Sequence, residues 1–287
     1  MMSSLDEHLA KCGYQPAHRR SRAEYLVSLR LGVSAAISGP LWIRPQRTPF
    51  GPTDLLMRVG EWYEQNYGGR LYPPFRARSF VIDIRGTLWR VRLPKVWGTI
   101  AVVVDPNLSE DYRGGGLNII QSIEGFTQAY ATRLSDDELR KISKESQVAF
   151  SAIEVINGLP RHTLFEQARM DYGHSVDALM SGFSSSKACW ETAQCAEKVL
   201  KGLLAINGHD YPSKGGAGHD IPRLGEIVLD KLDLALAPDL LQEIHCNPKV
   251  RYGEQNVSVT EAFSAHVGLL TMMVQIGRKL NEDEGVK

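Results

Sequence analysis

The segment Ser186–Asn207 constrains the fold of this chain more than any other stretch. Its apolar residues recur at the spacing of one face of an α-helix: Trp190, Ala193, Ala196, Leu200, Leu203 and Leu204. The opposite face is polar, with Glu191, Gln194, Lys198 and Lys201. Glu197 and Lys201 form an i, i+4 pair worth ~0.2–0.5 kcal/mol, and Asn207-Gly208 is a C-cap signal. The pattern predicts a bundle helix with a buried apolar stripe and solvated acidic and amide groups.

The rest of the back half also has helical spacing. After the glycine-rich loop, His219-Asp220-Ile221-Pro222 predicts a helix that reaches about Leu236, with Asp220 or His219 at the N-cap. Ser258 and Glu261 form a capping box before the last helix. The other predicted helices are Leu164–Phe183, the short Asp239–His245, and Thr260–Leu280. Long helices with short links predict an all-α, antiparallel bundle of four or five helices over residues 163–283.

The front half mixes helices with strands. Helices are predicted at Arg22–Leu31 and Asp54–Asn66, and the segments Ser79–Arg85, Leu88–Leu93 and Thr99–Asp105 have strand character. The short breaks between these segments predict an antiparallel meander with the third strand at its centre.

Two further helices are predicted after the meander. Helical spacing continues from Ile120 to Leu134, with a strand beginning at Leu117 as the alternative, and a capping box at Ser135 opens a helix that ends near Gly158. The sequence therefore predicts a basic arm (1–45), an α+β domain with a small antiparallel sheet (46–158) and the helical bundle, with a boundary at Leu159–Arg161.

Chain length, charge distribution and hydropathy limit the classes of function that this sequence can have. At 287 residues the chain is long enough for two domains. Its net charge is zero but uneven: residues 1–105 hold 15 Lys/Arg and 8 Asp/Glu, and residues 106–287 hold 18 and 25. This charge asymmetry is consistent with binding of nucleic acid or another polyanion to the front half. It is equally consistent with electrostatic attraction between the two domains or with a partner chain. We find no signal-peptide core and no apolar run of bilayer length, so we expect a cytoplasmic protein without membrane partners.

The cysteines and histidines predict neither a metal site nor a cofactor. The four cysteines, Cys12, Cys189, Cys195 and Cys246, contain no C-x-x-C pair. Cys189 and Cys195 lie well apart around one helix, so they cannot jointly hold a metal unaided. We expect reduced, mostly buried thiols.

Several motifs of the back half together resemble a known superfamily. The run A-x-x-A-E-K-V-L-K-G-L-L (193–204), then H-D-I-x-x-L (219–224), V-R-Y-G (250–253) and a closing amphipathic helix resemble the HEPN superfamily of nucleotide-binding bundles over about residues 163–280. The resemblance implies binding of nucleotide or nucleic acid, in a setting such as microbial stress, defence or a toxin–antitoxin pair. It also implies that the polar face with Gln194, Glu197, Lys198 and Lys201 serves dimerisation or contact with a partner protein.

Some HEPN families are metal-independent ribonucleases that use Arg-x4–6-His, with Arg on the phosphate and His as acid or base. Arg169 and His174 match this spacing. Such pairs also arise by chance, and this one lies earlier in the bundle than in the nuclease families. Arg169 and His174 are therefore either catalytic or part of a solvated helix face.

Ligand-binding candidates lie in the later loops and on the second helix. Arg251 can form bidentate hydrogen bonds with a phosphate while Tyr252 stacks on a base. Alternatively, Tyr252 packs at the end of the bundle and Arg251 neutralises acidic helices. His219 and Asp220 are either helix caps or ligand contacts, and Lys198 and Lys201 complete the candidate set.

A second candidate surface lies in the basic, aromatic-rich segment 70–97. It contains four candidate nucleic-acid contacts: Arg76, Arg78, Arg90 and Arg92. Strand alternation places Arg90 and Arg92 on one face, opposite Trp89 and Val91. This face either meets RNA or DNA or is simply solvated.

The leading hypothesis is therefore a nucleotide- or nucleic-acid-binding protein without a clear catalytic motif. The alternatives are a metal-independent endoribonuclease and a non-catalytic module that forms a homodimer or binds a partner protein.

Overall fold

The computed structural model describes residues 2–11, 16–32, 51–67, 77–94, 101–108, 116–182, 184–213 and 218–283. The chain divides into two compact units, which we describe separately. Unit 1 comprises residues 1–75, 95–103 and 111–117, and unit 2 comprises residues 76–94, 104–110 and 118–287.

The described residues of unit 1 form three helices, α1 (Met2–Lys11), α2 (Pro16–Leu31) and α3 (Pro52–Tyr67). α2 packs against both α1 and α3, around a small core of Leu9, Ala23, Val59 and Tyr63. Arg20 bonds Glu24 at 3.0 Å and Glu64 at 2.8 Å. The described part of the predicted basic arm is therefore helical, and its Arg20 is neutralised within the unit.

Unit 2 begins with a β-hairpin of β1 (Ser79–Ile84) and β2 (Thr87–Arg92). The two-residue turn has positive φ at Arg85 (+56°) and Gly86 (+78°), as a type I′ turn requires. β1 buries Phe80, Ile82 and Ile84.

The expected third strand does not join this hairpin. β3 (Ala101–Val103) pairs instead with β4 (Gly116–Asn118) in a separate two-stranded sheet, so the predicted three-stranded meander is wrong. The backbone of β2 is instead contacted by Ile123, which bridges Val91, and by Glu124, whose N–H donates to Arg90 O at 2.9 Å.

The helix expected over 120–134 is also absent. The structure has a short 3-10 turn at Ile120–Ser122 and a single helical turn, α4 (Gln128–Ala131). Gly125 has φ +73°, which interrupts a helix. The alternative of a strand at Leu117 is confirmed by β4. The apolar residues of this segment still reach the core, because Ile120 and Ile123 are buried.

α5 (Asp136–Gly158) begins at the predicted capping box, in which Ser135 N–H donates to Glu138 at 2.8 Å. It packs along α11 (Val259–Asp283). A Cβ on Gly277 would lie 2.4 Å from Val155 Cγ2, so glycine permits this close crossing. Because α5 and the hairpin share unit 2 with the later helices, the predicted boundary at Leu159–Arg161 does not separate the two units.

The helices that follow α5 are α6 (Thr163–Met180), α7 (Ser185–Ile206), α8 (Ile221–Leu232), α9 (Pro238–Ile244), α10 (Pro248–Arg251) and α11. α7 packs mainly on α6 and also contacts α8 and α11. At the α6–α7 crossing, a Cβ on Gly202 would lie 2.4 Å from the Phe165 ring. α8 ends earlier than predicted because Asp233 adopts a left-handed conformation, yet Leu236 beyond it remains buried.

The apolar stripe predicted for α7 is confirmed. Trp190 is 9% exposed, and Ala196, Leu200 and Leu204 are fully buried. The predicted solvated opposite face is partly wrong, since Lys201 is only 6% exposed, and Glu197, which shares the stripe position with Ala196, is 5% exposed. Two charges on one helix are therefore held inside the protein, which requires specific partners for each.

α11 is the one helix among the described residues that combines bilayer length with an apolar composition. By length and composition alone, Val259–Leu280 could cross a membrane, which the sequence analysis did not anticipate. Half of its 18-residue apolar window is buried, and the helix packs on α5, α7 and α9. It therefore has the environment of a bundle core helix.

Candidate ligand site around Trp190

The structure does not bring the Arg169–His174 pair together as a catalytic site. Arg169 is buried, and its guanidinium donates to Ile156 O at 2.9 Å and to Leu159 O, both at the end of α5. These are carbonyls that a helix C-terminus leaves unpaired. The His174 side chain is 54% exposed and lies 3.9 Å from Glu191. Arg169 therefore fastens α5 to α6, while His174 lies at the surface.

The basic strand residues are paired within unit 2. Arg90 donates to Asp177 of α6 at 2.8 Å and lies 3.6 Å from Glu124, which also contacts Arg92. Arg78 is exposed next to β1, and Arg76 lies outside the described residues. These ion pairs reduce the positive charge that β2 offers to a nucleic acid.

Lys198 forms an ion pair with Asp171 of α6. Asp171, His174 and Glu191 have possible ligand atoms within 4.8 Å of one another, the one such group in the described residues. This group is not predictable from local spacing, because Asp171 and His174 lie i, i+3 apart on α6 but Glu191 belongs to α7. Burial raises the pKa of Asp171, and Lys198 opposes this shift. Because the Lys198 ammonium already contacts this carboxylate, we assign no metal to the group.

A buried carboxylate organises the next turn of α7. Glu197 accepts a hydrogen bond from Lys201 Nζ at 2.6 Å and from Gln194 Nε2 at 3.0 Å. His219 Nδ1 lies 2.8 Å from the same carboxylate. Lys201 also lies 5.9 Å from the centre of the Tyr211 ring. Lys201 is thus a structural partner of Glu197 rather than an exposed ligand contact.

The Glu197 contact fixes the orientation of His219. An ionised carboxylate only accepts hydrogen bonds, so His219 Nδ1 carries the proton and Nε2 is left for another partner. The His219 side chain is 45% exposed, whereas that of Glu197 is 7% exposed. Asp220 accepts from Arg223 N–H at 3.1 Å and is the N-cap of α8. The structure therefore places His219 towards solvent and gives Asp220 a capping role.

The remaining candidates surround one indole. The Arg251 guanidinium lies 5.3 Å from the centre of the Trp190 ring and 6.0 Å from that of Tyr252. The His219 ring lies 6.2 Å from the Trp190 ring. Tyr252 is 72% exposed and Arg251 is also exposed. We call Trp190, His219, Arg251 and Tyr252 the Trp190 platform.

Short local signals position Arg251. Asn247 caps α10 by accepting from Lys249 N–H at 3.0 Å, and Pro248 occupies the first turn. Val250 is 3% exposed and anchors this single turn, which packs on α7. Gly253, with φ +72°, follows it. The cap and the buried Val250 therefore define a single helical turn with Arg251 at its C-terminal end.

Comparison with known proteins adds no assignment, since no family model, no curated protein and no solved structure matches this chain. The sequence predicts Trp190 only as a core residue of α7. Its place in the platform is not visible in the sequence, because His219, Arg251 and Tyr252 come from distant segments.

Proposed function

We propose that residues 163–280 form an HEPN-like bundle that binds a nucleotide, either free or within RNA, at the Trp190 platform. One observation carries the proposal: an exposed arginine is held against Trp190 beside a largely exposed tyrosine ring. A guanidinium binds phosphate oxygens through paired hydrogen bonds, and an exposed aromatic ring stacks on any base. His219 Nε2 supplies a further polar contact.

The helix order supports the HEPN-like part of the proposal. α6, α7, α8 and α11 correspond in order to the helices that carry the resemblance, and α6 and α7 pack along each other. The H-D-I-x-x-L motif lies where His219 meets Glu197, and V-R-Y-G carries Arg251 and Tyr252. Two separate motifs of the resemblance therefore meet at Trp190.

The net charge of the back half favours binding of a small ligand or a short RNA segment over contact with many consecutive phosphates of a long strand. Residues 106–287 are net acidic, so they do not attract a polyanion at long range. Binding energy must then come from local contacts, chiefly Arg251 with one phosphate. We expect log affinity to fall with log salt with a slope near −0.7, the value for about one phosphate contact on a single strand.

The test is equilibrium binding of labelled nucleoside monophosphates and a short single-stranded RNA across a salt series. Arg251→Ala should weaken binding roughly 10- to 100-fold, since it removes a charge-assisted contact worth about 1.5–3 kcal/mol. Lys249→Ala is the matched control, because it removes a charge from the same turn without removing a ring contact. It should change affinity less than about threefold.

Three results would argue against the proposal. Equal losses in Arg251→Ala and Lys249→Ala would indicate nonspecific charge attraction. RNA cleavage that is lost in Arg169→Ala and His174→Ala but kept in Arg251→Ala would favour the endoribonuclease alternative. A stable dimer that binds neither nucleotide nor RNA would favour the partner-module alternative.

A further inference from the structure

Two cysteines that are distant in sequence meet at one cleft of unit 2. Cys189 lies on α7, and Cys246 lies between α9 and α10. Both thiols are free and buried, at 7% and 3% exposure. They line the same cleft of about 300 Å³. A pocket of this size admits a small molecule to a pair of thiols that are otherwise covered.

The two thiols are not equivalent. The neighbouring Cys246 lowers the pKa of the Cys189 thiol, whereas the proximity of Cys189 together with burial raises the pKa of Cys246, whose Sγ also donates to Asn247 O at 3.9 Å. Cys189 is therefore the better thiolate, and Cys246 is the thiol beside it. Thiolates attack oxidants and disulfides, whereas thiols do so poorly.

The other lining groups select the kind of molecule that enters. Glu243 and Glu261 bring carboxylates to the cleft, and His245 has a buried Nδ1 without a hydrogen-bond partner among the described residues. Two carboxylates disfavour anionic oxidants, including the disulfide form of glutathione. A small neutral hydroperoxide meets no such barrier.

We propose that Cys189 and Cys246 are a redox-active pair that a hydroperoxide converts to a disulfide linking α7 to the α9–α10 connection. The Cys189 thiolate attacks the O–O bond, which gives a sulfenic acid and releases hydroxide (or alkoxide). Cys246 loses its proton to that base and attacks the Cys189 sulfur, and hydroxide leaves as the S–S bond forms. With hydrogen peroxide, two thiols are oxidised by two electrons and one peroxide is reduced to two waters.

The position of the bond couples it to the Trp190 platform. Cys189 precedes Trp190, and Cys246 precedes the Asn247 cap of α10, the turn that carries Arg251. A disulfide requires an S–S distance of about 2.05 Å, whereas the two free thiols of the cleft are not bonded. Its formation therefore draws the α9–α10 connection and α7 together.

The test treats the full chain with a small excess of hydrogen peroxide, alkylates the remaining thiols and maps the peptides without reduction. We expect a peptide that links Cys189 to Cys246 and that dithiothreitol releases. Cys189 should be consumed about tenfold faster than the fully buried Cys195, whose pKa burial raises. In Cys246→Ser, dimedone should trap Cys189 as the sulfenic acid, because the second thiol is missing.

Cys195→Ala is the control variant, since Cys195 does not line the cleft. It should form the same linked peptide at the wild-type rate. The proposal is overturned if the wild-type map contains no Cys189–Cys246 peptide, or if Cys189 and Cys195 react at equal rates. It is also overturned if Cys246→Ser yields no dimedone adduct on Cys189. The wild-type map decides the question even if a variant fails to fold.

Discussion

His266 of α11 makes the stability of unit 2 dependent on pH. The ring is fully buried, and neither nitrogen has a hydrogen-bond partner among the described residues. The Tyr172 ring stacks against it, with the two ring centres 5.7 Å apart. Burial without a partner disfavours the charged imidazolium and lowers the His266 pKa from 6.5 to about 4.

The direction and size of the effect follow from proton linkage. Between about pH 6.5 and pH 4, His266 is protonated in the unfolded chain but not in the folded protein. Stability from this group is thus fully present above pH 6.5 and is lost as pH falls towards 4. The pKa difference corresponds to about 3 kcal/mol at 1.36 kcal/mol per pH unit.

The measurement is urea unfolding of the wild type and His266→Leu, followed by far-UV circular dichroism at several pH values. Leucine has a similar volume and does not titrate. Comparison with this variant removes the pH dependence of every other group. The free energy of unfolding of the wild type should fall relative to the variant by about 3 kcal/mol between about pH 7.5 and pH 4.

A buried residue of α11 that does not titrate supplies the matched control. Met272→Leu should change the free energy of unfolding by an amount that stays constant over this pH range. A stability difference between the wild type and His266→Leu that stays constant over this pH range would refute the reasoning. It would mean that His266 is solvated or hydrogen-bonded in the folded protein.

Two further predictions concern packing and helix ends. Gly202→Ala should destabilise unit 2 by about 1–3 kcal/mol because the new methyl would overlap the buried Phe165 ring. A methyl group on Gly173 of α6 would meet nothing within 4 Å, so Gly173→Ala should stabilise unit 2 by up to about 1 kcal/mol. If Gly202→Ala and Gly173→Ala changed the thermal unfolding temperature equally, the close Gly202–Phe165 packing would be contradicted. Arg169→Ala should cost roughly 2–3 kcal/mol because it leaves the Leu159 carbonyl unpaired, and unchanged stability in urea would refute this capping role.

The sequence predicts the local part of this fold well. The period of α7 locates the buried face around Leu200, and both capping boxes begin helices where their spacing indicates, because these signals involve residues within one or two turns. The burial of Glu197 and Lys201 was not predictable in the same way. It depends on His219, Tyr211 and Gln194 closing over a polar turn, and two of these partners come from a separate loop.

Long-range pairing explains the other differences. Strand character at 101–103 is visible in the sequence, but its partner β4 follows a glycine-rich segment and cannot be identified from strand periodicity alone. Arg169 looks catalytic by spacing, yet the carbonyls that it satisfies belong to the preceding helix. The Cys189–Cys246 contact likewise arises from the packing of the α9–α10 connection, which no spacing rule specifies.

The most direct test of the central claim is an NMR titration of the tryptophan indole N–H signals with a nucleoside monophosphate. The chain has five tryptophans: Trp42, Trp62, Trp89, Trp97 and Trp190. Trp190→Phe assigns the signal of interest. If the nucleotide binds at the Trp190 platform, that signal alone should shift to saturation, and Arg251→Ala should abolish the shift at the same ligand concentration. A Trp190 signal that stays in place while another indole moves, or no shift at all at millimolar nucleotide, would contradict the account.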